Sequence, residues 1–206
     1  MGYQLTTHSL ISFNVYDITV NQPIVYFISS DTSGISTDNY INSGYAGTQG
    51  VEVEYKFKNK KASFFMNYAF YAASNKDKIE LYKTPSAFSL LGFANHRLNL
   101  NASFKINNAI TINSTASYFG KRYFISNYDT TGLPTFNQLN PNLVMNLYFS
   151  YQTPIKGLTA GAGVYDIFDE HPPFVQPYDG GHAPLPNAGR EFLFRIIYRF
   201  NSNNSN

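Results

Sequence analysis

The sequence predicts an all-β fold, an antiparallel transmembrane β-barrel, from three observations. First, residues 189–200 alternate between an apolar, aromatic face and a face that carries Glu191, Arg195 and Arg199. Successive side chains of a strand point to opposite faces, so this strand would have one apolar and one charged side. Second, several other stretches of about ten residues alternate in the same way. Third, the links between them are short and long in turn, which is the loop pattern of an outer-membrane barrel.

The N-terminal half contains four predicted strands. Residues 1–5 are the end of one strand, and residues 9–21 form the next. The alternation slips near Asp17 and Ile18, which predicts a β-bulge there. After a long polar loop, residues 50–58 and then 63–70 alternate clearly, and only a tight polar link separates them.

The C-terminal half contains five more. These predicted strands span residues 96–106, 109–124, 143–152, 158–166 and 189–200. Asn107 and Asn108 join the first two, and asparagine favours a two-residue hairpin turn. The long loops predicted for the whole chain are residues 22–44, 73–93, 125–141 and 168–188.

The bulk composition excludes several classes of function. A chain of 206 residues suits one domain, and a formal net charge of +2 lacks the basic excess of a nucleic-acid-binding protein. Without cysteine, disulfides, thiol chemistry and thiolate metal sites are excluded. No apolar run approaches about 18 residues, so no transmembrane helix is predicted. Residues 1–4 lack the features of a secretory signal, so we expect a mature form or a fragment.

We interpret the apolar face of the strands as facing lipid and the charged face as facing an enclosed watery lumen. A strict alternation of short and long links is not expected in a soluble β-sandwich. The charged residues predicted to face the lumen are Glu52, Glu54, Lys56, Arg97, Lys105, Glu191, Arg195 and Arg199. The aromatic residues predicted to form girdles at the membrane interfaces are Tyr68, Phe70, Tyr118, Phe149, Tyr151, Tyr198 and Phe200.

The strand count predicts a piece of a larger barrel. Eight strands from residue 9 onward could close by themselves, but side chains would have to fill the interior, and the inward set includes Gly161 and Gly163. Residues 1–5 add a ninth strand, and an odd number conflicts with the even-stranded bacterial barrels. We therefore expect residues 1–200 to be the last eight or nine strands of a partial barrel, followed by a polar, disordered tail at 201–206. A self-contained eight-stranded adhesin, anchor or small channel is the first alternative, and a soluble β binding module is the second.

Four stretches, taken in order, resemble one protein family. They are residues 13–18 with Asn21-Gln22-Pro23-Ile24, then Asn42-Ser43-Gly44 with Gly50-Val51-Glu52, then Val164-Tyr165-Asp166-Ile167-Phe168-Asp169, and last Pro186-Asn187-Ala188-Gly189-Arg190 running on to Phe200. Together they are similar to the TonB-dependent outer-membrane receptors common in Bacteroidetes-type bacteria. Asp166 stands where the family more often has Asn, and residues 201–206 extend beyond the usual terminal aromatic residue.

The resemblance implies a 22-stranded barrel in the outer membrane of a Gram-negative bacterium, blocked by an N-terminal plug. It implies uptake of a scarce nutrient, such as an iron chelate (siderophore), cobalamin or a glycan, with energy supplied by TonB through the plug. The implied partners are outer-membrane lipid, the plug and remaining strands, TonB, a small-molecule ligand and the barrel-assembly machinery. That machinery would read Tyr198 and Phe200 as an assembly signal. No plug or TonB-contacting segment is found in these residues, and no cofactor is implied.

The fourth long loop carries the candidate ligand contacts His171, Tyr178, Asp179 and His182, because long loops carry recognition. Two imidazoles and a carboxylate could bind a metal, but a loop so rich in proline and glycine also suits a stiff surface hairpin, so no metal is assigned.

Two groups of charged residues can each be interpreted in more than one way. Glu52 and Glu54 could form an acid pair, but beside Lys56 they suit a lumen wall better. Arg97, Arg195 and Arg199 could attract an anionic chelate or contact the plug. No nucleophile motif is present, so we predict no enzyme.

Overall fold

The computed structural model describes residues 1–30, 36–42, 44–73, 83–130, 133–175 and 184–200. Within them the chain forms thirteen β-strands. Their bounds are β1 (Gly2–Thr6), β2 (Ser9–Asn21), β3 (Ile24–Ser30), β4 (Ser36–Asn42), β5 (Tyr45–Lys58), β6 (Ala62–Ala72), β7 (His96–Lys105), β8 (Ile110–Phe119), β9 (Arg122–Tyr128), β10 (Pro134–Leu139), β11 (Asn142–Gln152), β12 (Leu158–Tyr165) and β13 (Glu191–Tyr198). In this described part, no helix is long and apolar enough to cross a membrane.

Nine strands form one antiparallel sheet in the order β1-β2-β5-β6-β7-β8-β11-β12-β13. The other four form two separate hairpins, β3–β4 in the connection from β2 to β5 and β9–β10 in the connection from β8 to β11. Each edge strand, β1 or β13, pairs on one side only among the described residues. The predicted all-β antiparallel fold is confirmed, and the described sheet is open.

The links sort by length between the two ends of the sheet. Short turns join β1 to β2, β5 to β6, β7 to β8 and β11 to β12, and they all lie at one end, the short-turn end. The longer connections lie at the other, the long-loop end. Two turns are closed by asparagine side chains: Asn59 Oδ1 accepts the Ala62 N–H at 2.7 Å, and Asn107 Oδ1 accepts the Ile110 N–H at 2.8 Å. Asparagine suits these turns because its side chain can replace a backbone acceptor.

The predicted bulge near Asp17 and Ile18 is wrong. The register between β2 and β5 runs without a shift from Ser9 opposite Phe57 to Asn21 opposite Tyr45. Residues 17–21 are exposed at the long-loop end, where neither face needs to stay apolar, and the alternation therefore fades without any change in register. The irregularity lies instead in β1, between Gln4 and Thr6.

The strand predicted at 109–124 is two strands. β8 ends at Phe119, and β9 begins at Arg122 and turns away to pair with β10. Gly120 marks the break, because its backbone packs against His96, where an added Cβ would lie 3.3 Å from the carbonyl oxygen. Residues 22–44, predicted as irregular, contain the β3–β4 hairpin, and β5 begins at Tyr45, earlier than expected.

Apolar side chains cover one face of the large sheet and are exposed. Val15 is 82% exposed, Phe194 80% and Ile196 79%. The buried apolar residues lie instead at the long-loop end; those described are Val25, Ala72, Ala73, Leu91, Ala94 and Ile125. A soluble sandwich would cover this face with a second sheet, and in the described part of the chain nothing covers it.

Candidate functional site

The face opposite these apolar residues is called the polar face, and strand register defines its rows. One row runs through Glu52, Ala69, Arg97, Phe119 and Asn142 on successive strands. A second row runs through Lys105, Thr111, Ser150, Gly161 and Arg195. By register and strand alternation, seven of the eight charged residues singled out from the sequence belong to this face, and the eighth, Arg199, directly follows the end of β13.

The acidic residues of the polar face are partly paired. The Asn14 Nδ2 group donates to Glu52 Oε2 at 3.2 Å. Lys56 Nζ forms an ion pair with Glu54 Oε1 on the same strand. Because Glu52 and Glu54 each have another polar group as neighbour, they do not form an isolated acid pair of the kind used in catalysis.

Two arginines share one phenyl ring at the long-loop end of the polar face. The guanidinium carbon of Arg97 lies 5.2 Å from the centroid of the Phe119 ring, and that of Arg122 lies 5.5 Å from it. Arg122 Nη2 donates to Asn142 Oδ1 at 3.3 Å. Among the described residues, the buried donors Arg122 Nε and Asn142 Nδ2 have no hydrogen-bond partner. We call these four residues the arginine cluster.

Burial lowers the pKa of Arg122, and the charge of Arg97 lowers it further. Sequence reasoning missed Arg122, Phe119 and Asn142, because they fall around a loop boundary where no motif marks them. Only Arg97 was singled out. The pairing of β8 with both β7 and β11 brings the set together.

The fourth long loop is tied down at its two ends. Asp169 Oδ1 accepts the Arg190 N–H at 2.8 Å and lies 2.9 Å from His171 Nε2. The hydrogen bond from Arg190 is the main cause that lowers the pKa of Asp169, and the charges of His171 and Arg190 lower it further. Gly189 allows this arrangement, because an added Cβ would lie 2.0 Å from His171 Cε1.

Asp166 sits beneath this junction and is 5% exposed. Its N–H donates to Asn146 Oδ1 at 2.9 Å, and its Oδ2 accepts the His171 N–H at 3.3 Å. Its φ of 48° is in the left-handed region, which Asn and Asp enter more readily than other non-glycine residues. Asp166 stands where the family more often has Asn, and both residue types can adopt this backbone conformation.

The predicted ligand contacts of the fourth loop are only partly described. The His171 imidazole contacts Asp169 and lies against Gly189, while Tyr178, Asp179 and His182 lie outside the described residues. Within the described ranges, no group of three His, Cys, Asp or Glu side chains is placed to hold a metal ion. A role for His171 in ligand contact remains a prediction.

Aromatic residues gather at both ends of the sheet. At the short-turn end, the Tyr198 and Phe200 rings meet edge to face, with centroids 4.7 Å apart. At the long-loop end, His96 lies between Tyr68 and Phe70, and its Nδ1 is 2.8 Å from Tyr68 Oη. His96 was not singled out from the sequence. The available signal was its position as the first residue of a predicted strand.

Several solved structures share this fold. The ferric-catecholate import receptor Fiu of E. coli is 18% identical with a TM-score of 0.71, over 95% of this chain and 26% of that one. The ferripyoverdine receptor of Pseudomonas aeruginosa is 14% identical with a TM-score of 0.70, over 94% and 25%. The siderophore receptor PirA of Acinetobacter baumannii is 13% identical with a TM-score of 0.66, over 97% and 30%. The chain thus spans about a quarter to a third of the length of these receptors.

Comparison with curated protein sequences gives no match. The family model described as "TonB dependent receptor-like, beta-barrel" matches residues 2–167, which is most of the chain. It describes receptor barrels and not enzymes, in agreement with the absence of a nucleophile motif. The chain belongs to the family of TonB-dependent receptor-like β-barrels.

Proposed function

We propose that this chain forms barrel wall and ligand-gathering loops of an outer-membrane receptor for TonB-dependent uptake of a scarce nutrient. One observation carries the proposal: the large sheet exposes an apolar face on one side and gathers its charged residues on the other. Lipid outside and enclosed water inside account for both faces. On this reading the polar face lines the lumen, the short turns are periplasmic and the long loops are extracellular.

A larger barrel fits the sheet better than a self-contained one. A closed eight-stranded barrel would pair its first strand with its last, whereas β1 and β13 each have a single partner among the described residues. In the whole receptor, further strands would cover these edges and a plug would fill the lumen. Lipid, the barrel-assembly machinery and, through the plug, TonB are the proposed partners. Tyr198 and Phe200, packed together, are the proposed assembly signal.

We infer an iron chelate as the nutrient, ahead of cobalamin or a glycan. The support is that the receptors of similar fold carry names that refer to ferric catecholate, ferripyoverdine and siderophores. Uptake of radioactive iron would test this inference. Cells that carry the whole receptor should accumulate a ferric chelate only when TonB is present, and equal accumulation without TonB would overturn the proposal.

Spin labels test the orientation of the two faces directly. Because the chain has no cysteine, single cysteines at Phe104, Leu147 and Ile196 can each carry one nitroxide in reconstituted vesicles. We expect collisions with oxygen, which dissolves in lipid, and little contact with a water-soluble nickel chelate. Labels at the neighbouring positions Ser103 and Ile197, on the polar face, should report the reverse. An aqueous signal from the first three positions would contradict the membrane orientation.

A further inference from the structure

We propose that the arginine cluster is an oxyanion-binding site, which takes a carboxylate or phosphate group of a small diffusible ligand. Its protein groups are the guanidinium groups of Arg97 and Arg122 and the amide of Asn142. The inference rests on the proposed function in one respect, because the polar face must be open to water at the long-loop end. It goes further in naming the site and the chemistry of the ligand.

The first argument is uncompensated charge. Arg97 and Arg122 both lie over the ring of Phe119, at 5.2 and 5.5 Å from its centroid. Neither forms an ion pair with a carboxylate in the described part of the chain. Burial of Arg122 and repulsion from Arg97 both lower the pKa of Arg122, so its surroundings disfavour the positive charge. A bound oxyanion would supply the missing negative charge.

The second argument is unused hydrogen-bonding capacity. Arg122 Nε and Asn142 Nδ2 are buried donors without an acceptor in the part of the chain that the structure describes, and Asn142 is only 9% exposed. Buried donors are nearly always paired in folded proteins. Arg122 Nη2 donates to Asn142 Oδ1 at 3.3 Å, which fixes the orientation of the guanidinium group. Its remaining donors form the planar fork that matches a carboxylate or phosphate.

The third argument is placement. Phe119 pairs with Arg97 on one neighbouring strand and with Asn142 on the other, in the row of the polar face nearest the β9–β10 hairpin. Arg97 is exposed and Arg122 is half-buried. An anion could therefore reach the exposed edge of the cluster, while the phenyl ring and the asparagine hold the two cations in position.

Arginine footprinting tests the site in outer membranes that carry the whole protein. Phenylglyoxal modifies accessible guanidinium groups, and mass spectrometry reads each arginine separately. Citrate and inorganic phosphate are the probes, compared with chloride at equal ionic strength. We expect either probe to slow modification of Arg97 and Arg122 by about tenfold, because a bidentate contact engages the guanidinium group that the reagent attacks, and to leave Arg195 and Arg199 unchanged. The isosteric variant Asn142→Asp places a carboxylate beside Arg122 and should abolish the protection.

Two outcomes would overturn the site. The first is no protection, or equal protection of Arg195. The second is that Arg97 and Arg122 stay unreactive without any added anion, because another protein segment would then cover them. The proposed function is tested separately by uptake. Protection without TonB-dependent uptake would keep the site and reject the function, whereas uptake without protection would reject only the site.

Discussion

The carboxylate of Asp169 accepts the backbone N–H of Arg190 at 2.8 Å, and this bond joins the two ends of the fourth long loop. Asp169 belongs to the motif that follows β12, and Arg190 belongs to the motif that opens β13. Two of the four sequence stretches that resemble the receptor family are therefore in direct contact. His171 completes the junction through its contact with Asp169 at 2.9 Å.

The Asp169–Arg190 bond should depend on pH in one direction. The pKa of Asp169 is lowered from 3.8, so the bond is present above pH 3.8 and is lost as the pH falls through the lower folded value. The amide chemical shift of Arg190 should titrate in this acidic range. The Gln152 amide, which donates to the Ala109 carbonyl at 2.8 Å and has no carboxylate beside it in the sequence, is the control and should not titrate. Asp169→Asn should remove the transition, and a transition that survives would contradict this assignment.

Gly189→Ala should release His171 from Asp169. The new Cβ would lie 2.0 Å from His171 Cε1 and 2.6 Å from Asp169 Oδ1, so both side chains must move. Because both belong to an exposed loop, we expect a local change and a global cost below about 1 kcal/mol. The His171 ring resonances would report it. Gly44→Ala is the matched control, since no atom lies within 4 Å of its added Cβ. Unchanged His171 resonances in Gly189→Ala would refute the contact.

Adjacent positions on β13 should differ sharply in their tolerance of arginine. Phe194 is 80% exposed on the apolar face, and Leu193 lies on the polar face. Phe194→Arg should lower the free energy of unfolding in bilayers by about 2–4 kcal/mol if it lies near the midplane. Leu193→Arg, the control, should change it by less than about 1 kcal/mol. Equal costs in urea titrations would show that the two faces meet the same medium.

Tyr148 and Gly161 should be energetically coupled. An added Cβ at Gly161 would lie 2.0 Å from Tyr148 Oη and 2.6 Å from Cζ, so the tyrosine ring lies directly over the glycine on the polar face. Gly161→Ala should cost about 1–3 kcal/mol of unfolding free energy. In a Tyr148→Ala background the same change should cost little, because the ring is gone. A double-mutant cycle measures the coupling, expected at about 1–2 kcal/mol, and strict additivity would refute it.

The alternation of apolar and polar residues along the chain was sufficient to predict the strands of the large sheet. In β5, β6, β7, β11 and β13, successive residues lie on opposite faces of the sheet, and residue type alternates with them between mainly apolar and mainly polar. Asn59 and Asn107 marked two tight turns for an equally local reason, because the asparagine side chain closes the turn within a few residues. The alternation of short and long links along the chain then predicted which end of the sheet each link occupies.

The β3–β4 and β9–β10 hairpins could not be predicted in this way. They stand outside the large sheet in the long loops, and polar residues such as Thr37, Asn39, Asn127 and Gln138 interrupt any alternation. A strand shows a period of two only when its faces meet different surroundings. The apparent bulge at Asp17 arose from the same cause, at the end of β2 that reaches beyond the apolar face.

The local pattern thus determined the fold class, the faces and the family, whereas tertiary structure decided which side chains meet. Arg97 and Arg122 share Phe119 because β8 pairs with β7 and the chain breaks at Gly120. His171 reaches Asp169 because Gly189 has no side chain to block it. Such contacts depend on register and on the course of loops. Both arise from interactions between residues far apart in the chain, which alternation along a single strand does not record.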